Sequence, residues 1–455
     1  MKQKLPGRIQ LAYALGQLGW SLLSGIVATY LIFYYIPTNI SGIPVSIPQV
    51  QFFGFLTIIG LIMMLGRFFD AITDPWIATL SDQSQHKRGR RISFMQRSAL
   101  PFALFTLLVF FHPFAASSWW NVLVLTINLL LFYLFLTMYV TPFFALLSEL
   151  GRTPKERLNL STYISITWFL GFAIASQAPL LWGTFESLGY DNVSAMRLAF
   201  AILSFIGLIF LYIPVIFIDE KKYTQAVPST IKMMDSIKAT FKNSFFSIFV
   251  FSDLVYWVAI TIFQSALIYY VTILLSLPED TTGTLLVLLG LGSFIFYVPV
   301  NLLSTKFGKK ALMIVAFILF IMTYAFGAFL GTLPIVTLTQ AYILVGLGMF
   351  PMAVFGILPN AMVADIAQYD AIKTGVRREA MFFGTRTFMS KMGQMISMLV
   401  ISALLLIERN GSNELGIRLT AIAAAIFCFF GLVLLLFYKE KEIQSVITHN
   451  ERQSQ

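Results

Sequence analysis

The chain has 455 residues, of which 58% are hydrophobic, 15% aromatic and only 11% charged, and its mean hydropathy is +0.81. A soluble domain carries about 25% charged and about 45–50% apolar residues, so a soluble fold and a disordered chain are both excluded. One cysteine, Cys428, and three scattered histidines argue against a disulfide scaffold or a metal cluster. No cofactor is indicated, and the Gly-rich phosphate loop of an ATP-driven transporter is absent. The composition predicts a polytopic membrane protein.

Twelve apolar runs are long enough to cross a bilayer, which requires about 20 residues per helix. The short segments of alternating polarity that are typical of a β-barrel are absent. We therefore predict an all-α membrane protein with twelve transmembrane helices. The predicted spans, numbered I to XII, are residues 11–36, 48–81, 93–114, 119–149, 158–184, 195–218, 246–276, 282–305, 310–331, 334–367, 379–407 and 414–438.

The basic residues predict the orientation of these spans. Most of the 31 Lys and Arg lie at the N-terminus, in the loops after spans II, IV, VI, VIII and X, and in the C-terminal tail, whereas the opposite side keeps Arg197, Arg409 and Arg418. By the positive-inside rule, both termini are then cytoplasmic. The net charge of +10 belongs to loops that face anionic lipid, so nucleic acid is not predicted as a partner. We expect a multi-pass protein of the cell membrane, a bacterial inner membrane.

The two halves of the sequence repeat each other at an offset near 220. Leu80-Ser81-Asp82 and the basic run 87–91 follow span II, and Leu303-Ser304 and the basic run 306–310 follow span VIII. A six-span duplication in the same direction is typical of a twelve-span secondary transporter. It predicts two six-helix bundles at 1–218 and 246–438, a cytoplasmic linker at 219–245 and a cytoplasmic tail at 439–455.

Charged side chains inside the apolar spans mark the candidate site. Asp70 and Asp74 lie four residues apart on one face of span II, beside Thr73. Inserting a carboxylate at the centre of a membrane helix costs about 2.5–3.5 kcal/mol of free energy, so the group is expected to have a charge partner or a function. Counted from the cytoplasmic ends of their spans at about 1.5 Å per residue, Asp70, Thr137 and Lys391 all lie about 18 Å deep. These groups therefore converge near the middle of the bilayer.

A small cation with oxygen ligands would relieve the repulsion between Asp70 and Asp74. We predict a coupling-cation site there, a metal site if the ion is Na⁺, with Lys391 as a competing charge. A proton could replace the metal ion, because two neighbouring buried acids do not both ionise readily. The alternative is a permanent ion pair between these acids and Arg67 or Lys391, which would only fix the packing of the helices.

At these residues the chain resembles the glycoside–pentoside–hexuronide:cation symporters, the melibiose-carrier family of the major facilitator superfamily. The resemblance covers the whole chain, and its anchors are residues 13–25, 67–75, 82–91, 137–142, 370–375, 377–379 and Lys391. It implies the major facilitator fold and cation-coupled symport of a small organic solute by alternating access. It also implies that Asp70, Asp74 and Thr137 bind the cation and that Lys391 links the cation and solute sites. Thr73 stands where the family has an asparagine, which leaves Na⁺, Li⁺ and H⁺ open.

The solute side of the family pattern is not conserved in this chain. Melibiose carriers place sugar-binding carboxylates where this chain has Ser21 and Val140, an arginine where it has Ile164, and a stacking tryptophan where it has Phe144. The hydrogen-bonding groups that would hold sugar hydroxyls are therefore missing. A sugar, glycoside or uronide remains the predicted class, and a lysophospholipid-like or other amphipathic anion is the alternative, since animal relatives in the family carry lysophospholipids.

Other residues complete the candidate list. Arg386 and Lys391 in span XI suggest an anionic group on the solute, although five residues separate them, so they need not face one cavity. The alternative for Arg386 is a snorkelling or packing arginine, and Asp253 in span VII is either a solute ligand or interfacial. Acidic pairs around Asp70 and Asp365 also resemble those of intramembrane prenyltransferases, an enzyme alternative that leaves the repeat unexplained. We predict a monomeric transporter that is not an enzyme.

Overall fold

The computed structural model describes residues 5–37, 42–52, 56–114, 116–151, 154–223, 240–375, 379–407 and 414–454. Contacts divide the chain into two units: unit 1 comprises Met1–Ser229 and Pro278–Thr284, and unit 2 comprises Thr230–Leu277 and Leu285–Gln455. Most of the predicted linker, residues 224–239, and the basic residues Arg377 and Arg378 lie outside the described residues.

Unit 1 is built from long helices and one short hairpin. Its helices are α1 (Gly7–Tyr35), α2 (Ile58–Gln83), α3 (Arg90–Leu108), α4 (Trp119–Leu150), α5 (Pro154–Ser176), α6 (Ala178–Ser187), α7 (Asn192–Phe217) and α8 (Glu220–Tyr223). The antiparallel strands β1 (Gln51–Phe52) and β2 (Leu56–Thr57) precede α2. Helix α1 packs against α5 and α7, and α4 packs against α2 and α3.

In unit 1, the structure shortens the predicted second span and divides the predicted fifth span into two helices. Helix α2 begins at Ile58 and not at residue 48, because Thr57 has an extended backbone and its side chain accepts a hydrogen bond from Gly60 N at 2.9 Å, which caps the helix. The fifth span breaks at Gln177, and α6 restarts with Pro179 in its first turn, where a proline is tolerated.

Unit 2 repeats the pattern of long helices. After α9 (Ser244–Tyr269) and a π-helical turn (Tyr270–Leu274) come α10 (Asp280–Ile295), α11 (Tyr297–Phe307), α12 (Lys309–Ala328), α13 (Thr337–Thr374), α14 (Glu379–Leu404), α15 (Glu414–Leu436) and α16 (Glu440–Ser454). The predicted eighth span is bent by 47° between α10 and α11. Pro299 lies in the first turn of α11, where its ring would clash with the carbonyl of Ile295 in a continuous helix.

Nine helices of the described chain are long and apolar enough to cross a membrane, or ten if α10 and α11 form one bent span. Helices α2 and α3 do not meet that criterion; α2 carries Arg67, Asp70 and Asp74, and α3 carries three arginines. They occupy the positions of the predicted second and third spans, which gives twelve transmembrane positions. The helix that bears the predicted cation site is therefore one of the two that fail this criterion.

The first turn of α10 belongs to unit 1 although the flanking chain belongs to unit 2. Trp182 Nε1 donates a hydrogen bond to Glu279 Oε2 at 2.9 Å, and Thr282 is fully buried. Gly283 lies so close to the carbonyl of Ser176 that a Cβ atom there would come within 2.1 Å of it. The sequence places residues 278–284 in the predicted second bundle, which begins at residue 246, but in the structure they pack with unit 1.

The duplication is visible in how the basic end of each unit is built. In unit 1, Gly89 precedes α3, and the Glu220 carboxylate accepts hydrogen bonds from the backbone N–H groups of residues 90, 91 and 92 at 2.9–3.0 Å. In unit 2, Gly308 precedes α12, and Glu440 accepts from the N–H groups of residues 309 and 310 at 2.7 and 2.9 Å. A carboxylate at a helix N-terminus satisfies free donors and complements the helix dipole.

Candidate cation-binding site

The predicted cation ligands of unit 1 meet between α2 and α4. Asp70 is 2% exposed and Thr137 is 1% exposed, and the Thr137 hydroxyl donates to Asp70 Oδ1 at 2.6 Å. Thr73 is also buried, and its hydroxyl lies 3.5 Å from that of Thr137. Three of the four predicted ligands thus form one continuous cluster of oxygen atoms.

Asp74 lies one helical turn further along α2 and is half-buried. The hydroxyl of Thr141 donates to Asp74 Oδ1 at 3.1 Å. Asp70 with Thr137 and Asp74 with Thr141 are both separated by 67 positions in the sequence. The two helices therefore run side by side in register, and two acids four residues apart face two hydroxyls four residues apart.

Thr141 is a site residue that the sequence analysis missed. The signal was present, because Thr137 and Thr141 have the same four-residue spacing as Asp70 and Asp74. A hydroxyl four residues from another on a membrane helix more commonly bonds to its own backbone. Only the rotation of α4 towards α2 distinguishes the two cases.

A close approach of the backbones brings these side chains together. A Cβ atom on Gly66 would lie 2.6 Å from the ring of Tyr133, so the glycine allows α2 to approach α4 one turn before the first acid. The Arg67 guanidinium lies over the same ring, 5.0 Å from its centroid. The packing of α2 on α4 is thus tightest beside the candidate site.

Arg67 provides a positive charge next to the site without a close ion pair. Its Nη1 atom lies 3.9 Å from Asp70 Oδ2, and its Nε atom is buried without a hydrogen-bond partner among the described residues. A bidentate arginine–carboxylate pair would bring the nitrogen and oxygen atoms to about 2.7–2.9 Å. The contact between Arg67 and Asp70 is therefore longer than in a bidentate pair.

The chemistry of the cluster suits a hard cation. Two carboxylates and three hydroxyls supply oxygen ligands only, which alkali and alkaline-earth ions prefer over nitrogen or sulfur. The Asp70 and Asp74 carboxylates would hold the ion, and Thr73, Thr137 and Thr141 would complete its oxygen shell.

The remaining candidates of unit 1 lie elsewhere on its helices. Ser21 is 2% exposed and donates to the carbonyl of Leu18 at 3.2 Å, and it faces Gly171 on α5. Phe144 is 44% exposed and meets the ring of Trp20 edge-on at 6.0 Å. The structure therefore places Ser21 within a helix contact and Phe144 on an open face, and neither residue belongs to the oxygen cluster.

The candidates of unit 2 include a second polar cluster. The Arg386 side chain on α14 donates from Nε and Nη2 to the two carboxylate oxygens of Asp253 on α9, at 2.9 and 3.2 Å. Its Nη1 atom donates to Asn360 Oδ1 on α13 at 2.7 Å. Lys391 lies on α14 and is half-buried. The structure brings Asp253 and Arg386 together and adds Asn360, which the sequence analysis had not singled out.

A membrane-embedded helical fold with an internal duplication and a buried cluster of oxygen atoms is typical of a secondary transporter. The chain belongs to the MFS/sugar transport protein family, whose pattern matches residues 12–442. It is 23% identical to the isoprimeverose transporter of Lactiplantibacillus pentosus over 97% of this chain and 91% of that protein. It is 22% identical to an uncharacterized symporter of Synechocystis over 96% and 94% of the two chains.

Solved structures support the same fold. The nucleoside transporter NupG superimposes with a TM-score of 0.67 at 13% identity, over 95% of this chain and all of that one. The predicted major facilitator fold, with twelve helices in two six-helix bundles, is thereby confirmed. The protein is a multi-pass membrane transporter and not an enzyme, so the prenyltransferase alternative is wrong. Asp365, which suggested it, instead contacts Lys309 and Gln444 at the basic end of unit 2.

Proposed function

We propose that this protein is a cation-coupled symporter of a small organic solute, of the sugar, glycoside or uronide class, and that its coupling ion binds at Asp70, Asp74, Thr73, Thr137 and Thr141. The observation that carries the proposal is the paired contact of two acids on α2 with two hydroxyls on α4, at 2.6 and 3.1 Å. Membership of a sugar transport family and a relative named as a symporter support it. Sodium is the proposed ion, with Li⁺ or H⁺ as the alternatives.

The coupling follows from the charges. With the site empty, Asp70 and Asp74 repel each other and attract nearby positive groups. A bound cation cancels that field and favours the state that accepts the solute. By linkage, the solute must raise the affinity for the cation by the same factor. Lys391 on unit 2 remains the predicted charge that responds to the ion, as the family resemblance implies.

We also propose the setting in which the transporter works. The basic ends of both units face the cytoplasm, so both termini are cytoplasmic, and the protein acts as a monomer in the cell membrane. The concentration of lysine and arginine in the loops at these ends supports this orientation.

Transport by the purified protein in proteoliposomes tests the function. We would measure uptake of sugars, glycosides, uronides and lysophospholipids with an imposed Na⁺ gradient, with a proton gradient and with neither. We expect accumulation of one solute class above equilibrium only when a cation gradient is present. Uptake that merely equilibrates, and is the same with and without both gradients, would contradict symport.

Single substitutions test the site. Asp74→Asn and Asp70→Asn should abolish gradient-driven accumulation while the protein still inserts and folds. Thr167→Val is a matched control, because its buried hydroxyl bonds to carbonyls of its own helix at 2.9 and 3.2 Å. Accumulation at the wild-type level in Asp74→Asn would exclude this carboxylate as a cation ligand.

A further inference from the structure

Each unit contains one glycine contact of the same kind, and together the two contacts show which residues of the two sequence repeats correspond. They lie near the positions where solute specificity is expected. A Cβ atom on Gly171 of α5 would lie within 3.0 Å of the side chain of Ser21, the carbonyl of Leu18 and the N–H of Leu22. The corresponding atom on Gly393 of α14 would approach Trp257, Leu254 and Val258 at 2.6–3.4 Å, through the same kinds of atoms. Ser21 therefore corresponds to Trp257, Leu18 to Leu254 and Leu22 to Val258, and 236 positions separate the two residues of each pair.

This alignment places the polar cluster of unit 2 opposite an apolar position in unit 1. Ile164 and Arg386 each precede the contact glycine by seven residues, which is two helical turns and therefore nearly the same face. Gln17 and Asp253 each precede the contacted leucine by one residue. Gln17 and Ile164 of unit 1 thus correspond to Asp253 and Arg386 of unit 2.

At one of these corresponding positions, unit 1 has a buried polar side chain. Gln17 is 2% exposed, and its Oε1 atom has no hydrogen-bond partner among the described residues. In unit 2, both carboxylate oxygens of Asp253 accept hydrogen bonds from Arg386. The polar groups that are missing from the position of Ile164 are therefore present at the equivalent position of the second half.

The cluster presents hydrogen-bond donors. Arg386 has five N–H bonds, of which three are used by Asp253 and Asn360, so two remain. Because an arginine can only donate, the atom of Asn360 that faces it is the carbonyl oxygen, and the two amide N–H bonds of Asn360 point elsewhere. The Asp253 side chain has no exposed surface, so its carboxylate is not available to accept from a ligand.

The cluster has one open side. The Arg386 side chain is 14% exposed and Asn360 is exposed, and both lie inside membrane-spanning helices. Charged and amide groups at that depth face a bundle interior or a water-filled cavity, because contact with lipid leaves their hydrogen bonds unsatisfied.

We infer that Arg386 and Asn360 form a subsite for an oxyanion, a carboxylate or sulfonate carried by the solute, and that Asp253 positions the arginine. A sugar hydroxyl needs an acceptor for its own proton as well as a donor, and the cluster provides mainly donors. An oxyanion accepts hydrogen bonds only, and arginine N–H groups bind it with strong, charge-assisted geometry. This inference rests on the proposed function and narrows its solute to an acidic one.

Binding to pairs of probes that differ in a single group tests the subsite. The probes are methyl β-D-glucuronide against methyl β-D-glucoside, and methyl α-sulfoquinovoside against methyl α-D-glucoside. Affinity is measured by calorimetry on the purified full-length protein at saturating Na⁺. We expect the acidic member of at least one pair to bind at least about tenfold more tightly than its neutral partner. The pair that shows the preference identifies the oxyanion.

Variants then assign the preference to this cluster. Arg386→Gln should remove the preference for the acid and leave binding of the neutral partner within about twofold, since only the acid uses the charge. Because that variant leaves Asp253 buried without its partner, the double variant Asp253→Asn/Arg386→Gln, which removes both charges, is measured beside it. Arg97→Gln, at an exposed position of α3, controls for the loss of one positive charge.

The outcomes separate this inference from the proposed cation site. Stabilisation of the solute-free protein by Na⁺ reports on Asp70 and Asp74 and should survive in Arg386→Gln. Absence of that stabilisation in the wild type would count against the cation site alone. The subsite is overturned if neither acid binds more tightly than its neutral partner, or if Arg386→Gln weakens both members of a pair equally.

Discussion

The hydroxyl of Thr137 donates a 2.6 Å hydrogen bond to the carboxylate of Asp70, and this contact ties α4 to α2 at the depth where charge is most costly. A hydrogen bond to a charged group contributes about 1.5–3 kcal/mol. The threonine therefore orients the acid and adds a second oxygen to the candidate site.

Thr137→Val should weaken cation binding by about 10- to 100-fold, because valine keeps the shape of threonine but removes the donor to Asp70. The measurement is the midpoint of Na⁺-dependent stabilisation of the purified protein. Thr167→Val, which removes a buried hydroxyl that bonds only within α5 in the described structure, should leave that midpoint unchanged. Equal midpoints for wild type and Thr137→Val would exclude this hydroxyl from the site.

Gly89→Ala should destabilise unit 1 by more than backbone strain alone. Gly89 has φ +110° and ψ 157°, a region that is essentially restricted to glycine, and its added Cβ atom would lie 2.3 Å from Glu220 Oε2. Gly375→Ala is the matched control, because that residue has φ +72° but no atom of the described residues within 4 Å of the added Cβ atom. The control should lose about 1–2 kcal/mol.

Thermal unfolding in detergent compares the two glycine variants. We expect a clearly larger loss for Gly89→Ala, since the new methyl group displaces the carboxylate that caps α3. If the two variants unfold at the same temperature, the contact with Glu220 does not contribute to stability.

Glu279 should make stability depend on pH. The pKa of Glu279 is raised from its ordinary value of 4.5 to about 7, mainly by burial, with a smaller contribution from the neighbouring Glu186 and Asp280, while the hydrogen bond from Trp182 opposes the shift. The native state then keeps a proton that the unfolded chain releases above pH 4.5. Stability should therefore fall as the pH rises from about 4.5 to 7.

Glu279→Gln removes this titration and keeps an oxygen that can accept from Trp182. We expect the unfolding temperature of the variant to change less between pH 4.5 and 7 than that of the wild type, with the curves converging at low pH. Parallel curves across this range would show that Glu279 does not keep its proton in the folded protein.

Gly171→Ala should disrupt the contact between α1 and α5. The added Cβ atom would lie 2.0 Å from Ser21 Oγ and 2.4 Å from the carbonyl of Leu18, and overpacking of this kind costs about 1–3 kcal/mol. Gly183→Ala, on α6, has no atom in the described part of the chain within 4 Å of its added Cβ atom, so it should be neutral or slightly stabilising because alanine favours helices. Unfolding temperatures decide the comparison, and a neutral Gly171→Ala would mean that the two helices separate easily.

The amino-acid sequence alone determined the class of the protein, its spans and the acids of the candidate site. These features are local: an apolar run of about 20 residues has one outcome in a bilayer, and a charge inside it is conspicuous because it is costly. Asp70, Asp74 and Thr137 could therefore be selected before any contact was known.

The tertiary structure alone decided which side chains meet. Thr141 faces Asp74, Asn360 faces Arg386, and residues 278–284 join unit 1. The spacing of Thr137 and Thr141 is visible in the sequence, but no local signal shows which partner each of these residues meets. Each depends on the rotation and register of helices that are distant in the chain, and a rotation of one residue turns a side chain by about 100° around its helix. Packing of glycines such as Gly66 and Gly171 sets those rotations, and packing is a property of the folded molecule.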